Sequence, residues 1–185
     1  MTNTVHPIAI LAAAGFEETT YTDFQKALLA AGRVARVVTP DGGLVQGWHE
    51  ESWGHHFMAE ENLSDVLSAD FSGLIVPNGE RSNTTLAANP HARRFIKAFV
   101  DTGKPVLAVG DAVSLLVASD VAAKRKVTGP ADQQAALSEA GAEWIGEEAT
   151  VTDENVVTTA VDASNQVRLQ AFLALFESEE VQEAA

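Results

Sequence analysis

Apolar and polar positions alternate in blocks along the chain. The run "PIAILAAAG" (7–15) is apolar and closed by glycine, and "YTDFQKALLAAG" after it sets Phe24, Leu28 and Leu29 at helical spacing before a second glycine stop. That pattern predicts a strand followed by a helix. "RVARVVTPDGG" gives a second strand ended by a Pro-Asp-Gly-Gly turn, and "FSGLIVPNG" a third, closed by Pro77-Asn78-Gly79. In "NPHARRFIKAFVDTG" Pro90 falls in the first turn of a predicted helix, Phe95, Ile96 and Phe99 form its apolar face, and Gly103 stops it.

"KPVLAVGDAVSLL" (104–116) then predicts a buried strand that turns sharply through Gly110-Asp111 into a helix. "PADQQAALSEAGAEW" predicts a further helix, "EATVTDENVVTTA" two strands around Asp153-Glu154-Asn155, and "SNQVRLQAFLALFE" a closing amphipathic helix before an acidic tail (178–185) expected to fray. Apolar strands alternating with amphipathic helices predict an α/β fold, a doubly wound and mostly parallel sheet covered on both faces and carrying a small β-hairpin. A length of 185 residues without repeat or linker predicts one domain over 1–185.

Charge narrows the function. Twelve basic against 26 acidic residues give a formal net charge of -14, which disfavours nucleic acid and anionic membranes as partners. There is no cysteine, so disulfides, thiolate metal sites and thiol catalysis are excluded together. The N-terminal stretch has no basic n-region, and its apolar run is too short to span a bilayer; a cytoplasmic protein is expected.

Ligands of open α/β sheets bind outside the carboxyl ends of the strands, where strand order reverses. Three segments are expected there: "AAAGFEETTY", "VPNGERSN" and the elbow "AVGDAVS". Their candidate pocket residues are Glu17, Glu18, Asn78, Gly79, Gly110 and Asp111. Asp111 has two readings, a carboxylate base or nucleophile and a residue that caps its own helix start. Glu17 and Glu18 are an acid–base pair or simply favourable charges at a helix N-terminus. "WHEESWGHHF" (48–57) gathers two tryptophans and three histidines; His49, His55, Glu50 and Glu51 are metal-ligand types, but their spacing matches no zinc signature. "RRFIK" (93–97) is the only dense basic cluster and is read as a solvated helix face, and no dinucleotide fingerprint or P-loop is present, so no cofactor is expected.

The segments "ILAAAGFEETTYTDFQKALLAAG", "LVQGWHEESWGHHF", "GLIVPNGERSNTTLAANPHARRFIKAFVDTGKPVLAVGDAVSLL" and "VTGPADQQAALSEAGAEWIGEEATVTDENVVTT" resemble the PfpI-type intracellular proteases of the ThiJ/PfpI superfamily, class I glutamine-amidotransferase-like proteins. The resemblance implies a flavodoxin-like fold and a homodimer or larger homo-oligomer. It also implies a Cys-His pair at the elbow, a carboxylate after the first strand, an oxyanion loop of the form P-G-G, and a Trp-rich loop near the pocket and the subunit contact, where His49 would lie. In that register Gly110 stands at the nucleophile, Asp111 at the histidine and Thr20 at the carboxylate, while Asn78 replaces a loop glycine. The expectation is a pocket whose reagents are gone: a catalytically degenerate, stress-related or small-ligand-binding protein. The alternative is a hydrolase or lyase of small carbonyl or amide compounds working through Asp111, Glu17 or Glu18.

Overall fold

The computed structural model describes residues 6–146 and 148–183, without the side chains of 179–183. Its strands are β1 Ile8–Leu11, β2 Phe16–Glu17, β3 Ala35–Thr39, β4 Leu44–His49, β5 Ser52–Met58, β6 Glu61–Asn62, β7 Gly73–Val76, β8 Val106–Val109, β9 Lys126–Val127, β10 Glu143–Trp144, β11 Thr150–Asp153 and β12 Val156–Thr159. Its helices are α1 Glu18–Ala30, α2 Glu80–Ala88, α3 Pro90–Asp101, α4 Ser114–Ala118, α5 Gln134–Glu139 and α6 Asn165–Glu183.

Seven strands form the main sheet in the order β11-β12-β8-β7-β1-β3-β6. Every neighbouring pair is parallel except β11–β12, the hairpin expected around Asp153-Glu154-Asn155. Successive residues point to opposite faces of a strand, and both faces are covered. Ala9, Leu11, Leu74, Val76, Val106 and Ala108 pack under α2, α3 and α4, while Ile8, Ile10, Ile75, Leu107 and Val109 pack under α1 and α6. Burial on both sides is why these strands read as unbroken apolar runs. The chain leaves β1 for β3 on one side and returns to β7 on the other, so strand order reverses between β1 and β7.

Asn89 caps α3 as its sequence suggests: its side-chain oxygen accepts from the N–H groups of His91 and Ala92, with Pro90 at the first position. Other expectations need correction. In α1, Tyr21, Phe24 and Leu28 are buried on the core-facing stripe, but Leu29, about 100° further round the helix, is 75% exposed. The helix expected over 130–144 stops at Glu139, and Glu143–Trp144 instead pairs in parallel with Lys126–Val127. The Trp-rich segment is no loop but an antiparallel hairpin, β4 with β5, which together with β2 forms a separate three-stranded sheet. The helical backbone of α6 continues through Glu183; residues 184 and 185 of the tail expected to fray lie outside the described residues.

Candidate functional site

The loops after β1, β7 and β8 meet where strand order reverses, as the topology rule requires. The elbow has a left-handed backbone: Gly110 sits at φ +56°, buried, directly after β8 and opening a 3-10 turn over Gly110–Val113. A glycine takes that left-handed conformation without steric cost. What occupies the space above it is the side chain of Asn78. A Cβ built on Gly110 would lie 2.5 Å from Asn78 Oδ1 and 3.1 Å from Asn78 Cγ, so the amide fills the volume a nucleophilic side chain would need.

In strand–turn–helix hydrolases the oxyanion is received by the N–H of the residue after the nucleophile and by a second loop N–H. The corresponding donors here are Asp111 N–H and Gly79 N–H, and each has an internal acceptor. Asp111 N–H donates to Asn78 Oδ1 at 3.1 Å, and Gly79 N–H donates to Asp111 Oδ1 at 2.9 Å. The same carboxylate oxygen accepts from Asn83 Nδ2 at 3.1 Å. Asp111 therefore caps not its own helix but the N-terminal end of α2, a favourable place for negative charge. Burial pushes its carboxyl upward against the opposing hydrogen bonds from Gly79 and Asn83, with Glu80 adding to the rise. Ser114 is no substitute nucleophile, since its hydroxyl donates to Asp111 O at 2.8 Å.

Beside the elbow lies a cleft of about 360 Å³. Glu17, Glu50 and Glu80 line it together with Trp48 and Arg81, and Gly15, Asn78 and Gly79 complete the lining. The Arg81 guanidinium stacks on Trp48 with 4.5 Å to the ring centroid, and Trp48 meets Trp53 edge to face at 5.4 Å. Gly79 must lack a side chain here, because a Cβ would lie 2.7 Å from both Gly15 O and Phe16 Cα.

Of the residues expected in the pocket, Glu17, Asn78 and Gly79 line it. Gly110 and Asp111 only border it, through Asn78 and Gly79. Thr20 is buried and its hydroxyl donates to Glu17 Oε2, so it orients a cleft carboxylate rather than lining the cleft. Glu18 departs altogether. It is buried under the β4–β5 hairpin, where one oxygen meets His55 Nδ1 and the other accepts His55 N–H at 2.9 Å. Burial there would raise its carboxyl, but the His55 side-chain and backbone bonds, with the His55 and His49 charges, outweigh it and hold the group below the ordinary range. His49 is exposed on the hairpin and does not line the cleft. Among the described residues no group of three or more His, Asp or Glu could hold a metal ion.

Sequence reasoning overlooked Arg81 and the Glu18–His55 pair. The signal for the pair was the glycine at position 54 between Trp53 and His55: a Cβ there would collide with Glu18 Oε2.

Residues 6–171 match the DJ-1/PfpI family. The chain belongs to that family. General stress protein 18 of Bacillus subtilis (strain 168) is 30% identical over 156 residues, 82% of this chain and 87% of that protein. Protein/nucleic acid deglycase 2 of Escherichia coli (strain K12) is 29% identical over 153 residues, with the same two coverages of 82% and 87%. DJ-1 protein homolog F of Arabidopsis thaliana is 34% identical over 110 residues, and the chain spans only 27% of its length. Among solved structures, a two-domain protein of Anabaena variabilis ATCC 29413 with DJ-1/ThiJ/PfpI-like and ferritin-like domains superposes with a TM-score of 0.85 at 22% identity, over 93% of this chain and 48% of that one. That likeness bears on the fold alone, which is flavodoxin-like. Among the described residues no helix is long and apolar enough to cross a membrane.

Proposed function

We propose that this DJ-1/PfpI family member is non-catalytic and binds a small ligand in the cleft beside a closed elbow, as a cytoplasmic, stress-related homo-oligomer. The observation that carries the reading is the Asn78 side chain, which fills the nucleophile's volume and takes the N–H that an oxyanion would need. The stress role is supported by the kinship with General stress protein 18. Self-association is supported by the hairpin, where Leu44, Trp53 and Met58 are 62%, 51% and 72% exposed.

A carboxylate-driven hydrolase or lyase is the weaker reading, because each candidate already serves as an acceptor: Glu17 for Thr20, Glu18 for His55, Asp111 for Gly79 and Asn83.

The test compares the natural protein with an Asn78→Gly, Gly110→Cys, Asp111→His variant in consumption of methylglyoxal, release of glycated side chains and hydrolysis of a peptide amide. A silent natural protein beside an active variant supports the reading. Turnover by the natural protein that disappears in Asp111→Ala overturns it.

A further inference from the structure

Asn78-Gly79 is the one Asn-Gly dipeptide in the sequence. In such a pair the main-chain nitrogen of the glycine can attack the asparagine side-chain amide with no Cβ in its path. The attack needs a base to take the N–H proton and a donor to hold the amide oxygen as charge develops on it. Both stand at the elbow. Gly79 N–H donates to Asp111 Oδ1 at 2.9 Å, and Asp111 N–H donates to Asn78 Oδ1 at 3.1 Å. Burial pushes the Asp111 carboxyl upward, with Glu80 adding to the rise against the bonds from Gly79 and Asn83, which makes it a better proton acceptor. Asn78 Nδ2, the group that would leave, has no hydrogen-bond partner among the described residues, and Asn78 lines the open cleft, where ammonia can depart and water can enter.

We propose that the elbow drives deamidation of its own Asn78: Asp111 takes the Gly79 N–H proton, the freed nitrogen bonds to Asn78 Cγ, and Asp111 N–H holds the oxyanion that forms on Oδ1. The oxyanion collapses, the Cγ–Nδ2 bond breaks and the proton passes to the leaving nitrogen. Ammonia departs, the Asp111 carboxylate is restored, and a succinimide ring joins 78 to 79. Water then opens the ring. Glu17 N–H donates to Asn78 O at 2.7 Å and polarises that main-chain carbonyl, so water adds there and leaves the chain running through Cβ and Cγ, as isoaspartate. That product draws the former side chain away from Gly110 and from Asp111 N–H, and it adds a negative charge to a cleft already lined by Glu17, Glu50 and Glu80. Each chain reacts once, so the modification depends neither on turnover nor on a ligand in the cleft.

The experiment follows the full chain at neutral pH, folded in buffer and unfolded in guanidinium chloride, and reads aspartate and isoaspartate at position 78 by peptide mass spectrometry and isoaspartyl methyltransferase labelling. A positioned base contributes roughly 10²–10⁴ in rate, part of which the fixed backbone takes back, so the folded chain is expected to convert about tenfold faster than the unfolded one. Isoaspartate is expected in excess. Asp111→Asn is expected to bring the folded rate down to the unfolded rate or below it while leaving the rate in denaturant unchanged, which separates loss of the base from any loss of stability. Folded natural protein that converts no faster than the unfolded chain would overturn the proposal, and that comparison needs no variant. An Asp111→Asn protein with a native circular dichroism spectrum and the natural rate would overturn it as well.

Discussion

The interlock of Gly110 with Asn78 can be measured as a coupling energy. Gly110→Ala puts a Cβ 2.5 Å from Asn78 Oδ1 in a buried site, an overpacking that costs ~1–3 kcal/mol. The left-handed φ of +56° adds ~1–2 kcal/mol for any residue with a Cβ. The single variant is therefore expected to lose roughly 2–5 kcal/mol. Asn78→Ala alone gives up the hydrogen bond from Asp111 N–H at 3.1 Å, worth about 0.5–1.5 kcal/mol. In the double variant the amide is absent and the two Cβ atoms lie 3.7 Å apart, an ordinary contact, so the overpacking disappears and only the backbone strain and the lost bond remain. Urea unfolding of all four proteins gives the cycle, provided the m values agree. The double variant should be more stable than the sum of the singles by about 1–3 kcal/mol. Additivity within about 0.5 kcal/mol would refute the claim that the asparagine occupies the nucleophile's volume.

Glu18→Gln should loosen the hairpin that carries Trp48 and Trp53, costing about 1–2 kcal/mol at pH 7, the scale of one charge-assisted bond to a backbone N–H, since the exposed His55 ring adds little. Because the folded carboxyl lies below its ordinary value, the stabilisation is present above about pH 4.3, the unfolded value, and fades as pH falls through the folded one. The natural protein should therefore lose stability on the acid limb and the Gln variant should not; a parallel loss in both, read from melting temperatures between pH 3 and 7, counts against the pairing. Arg168→Met should cost roughly 2–4 kcal/mol in urea unfolding, because the buried guanidinium donates to Ala160 O at 2.9 Å, Val161 O at 2.6 Å and Asn165 Oδ1 at 2.8 Å. A neutral result there would mean that the two carbonyls find water.

The main sheet was legible because its central strands β1, β7 and β8 are buried on both faces and so write themselves as apolar runs, as in Ile8–Leu11 and Val106–Val109. The β4–β5 hairpin was not, for an equally physical reason. Its turn is Glu50-Glu51, with Glu50 at φ +53° and no glycine to announce it, and its strands leave Leu44, Trp53 and Met58 outside, so no clean alternation survives. Helix α2 was hidden in the same way, since "ERSNTTLAA" buries only Ser82, Asn83 and Leu86. Within the site, chain position identified Gly110, Asp111, Asn78 and Gly79 because they sit at the ends of visible strands. The partner of Glu18 lies 37 residues away on the hairpin that was missed, and the glycine at position 54 marks a close approach without naming the side chain that makes it.

The three residues Gly110, Asn78 and Asp111 belong together at the elbow. Glycine at 110 makes room, asparagine at 78 takes that room and caps the N–H of residue 111, and aspartate at 111 returns the bond to the N–H of Gly79. Each acceptor occupies a donor that acyl-transfer chemistry would need free. A cysteine introduced at 110 by itself would meet the Asn78 side chain and two N–H groups that already have acceptors, so a gain of thiol chemistry requires changes at 78 and 111 as well. The reciprocal pair also ties the β7 loop to the β8 elbow and pins the start of α2, whose Arg81 forms the cleft wall. Closing the elbow and shaping the cleft are thus one piece of hydrogen bonding, which is why loosening Asn78 should be felt at Trp48.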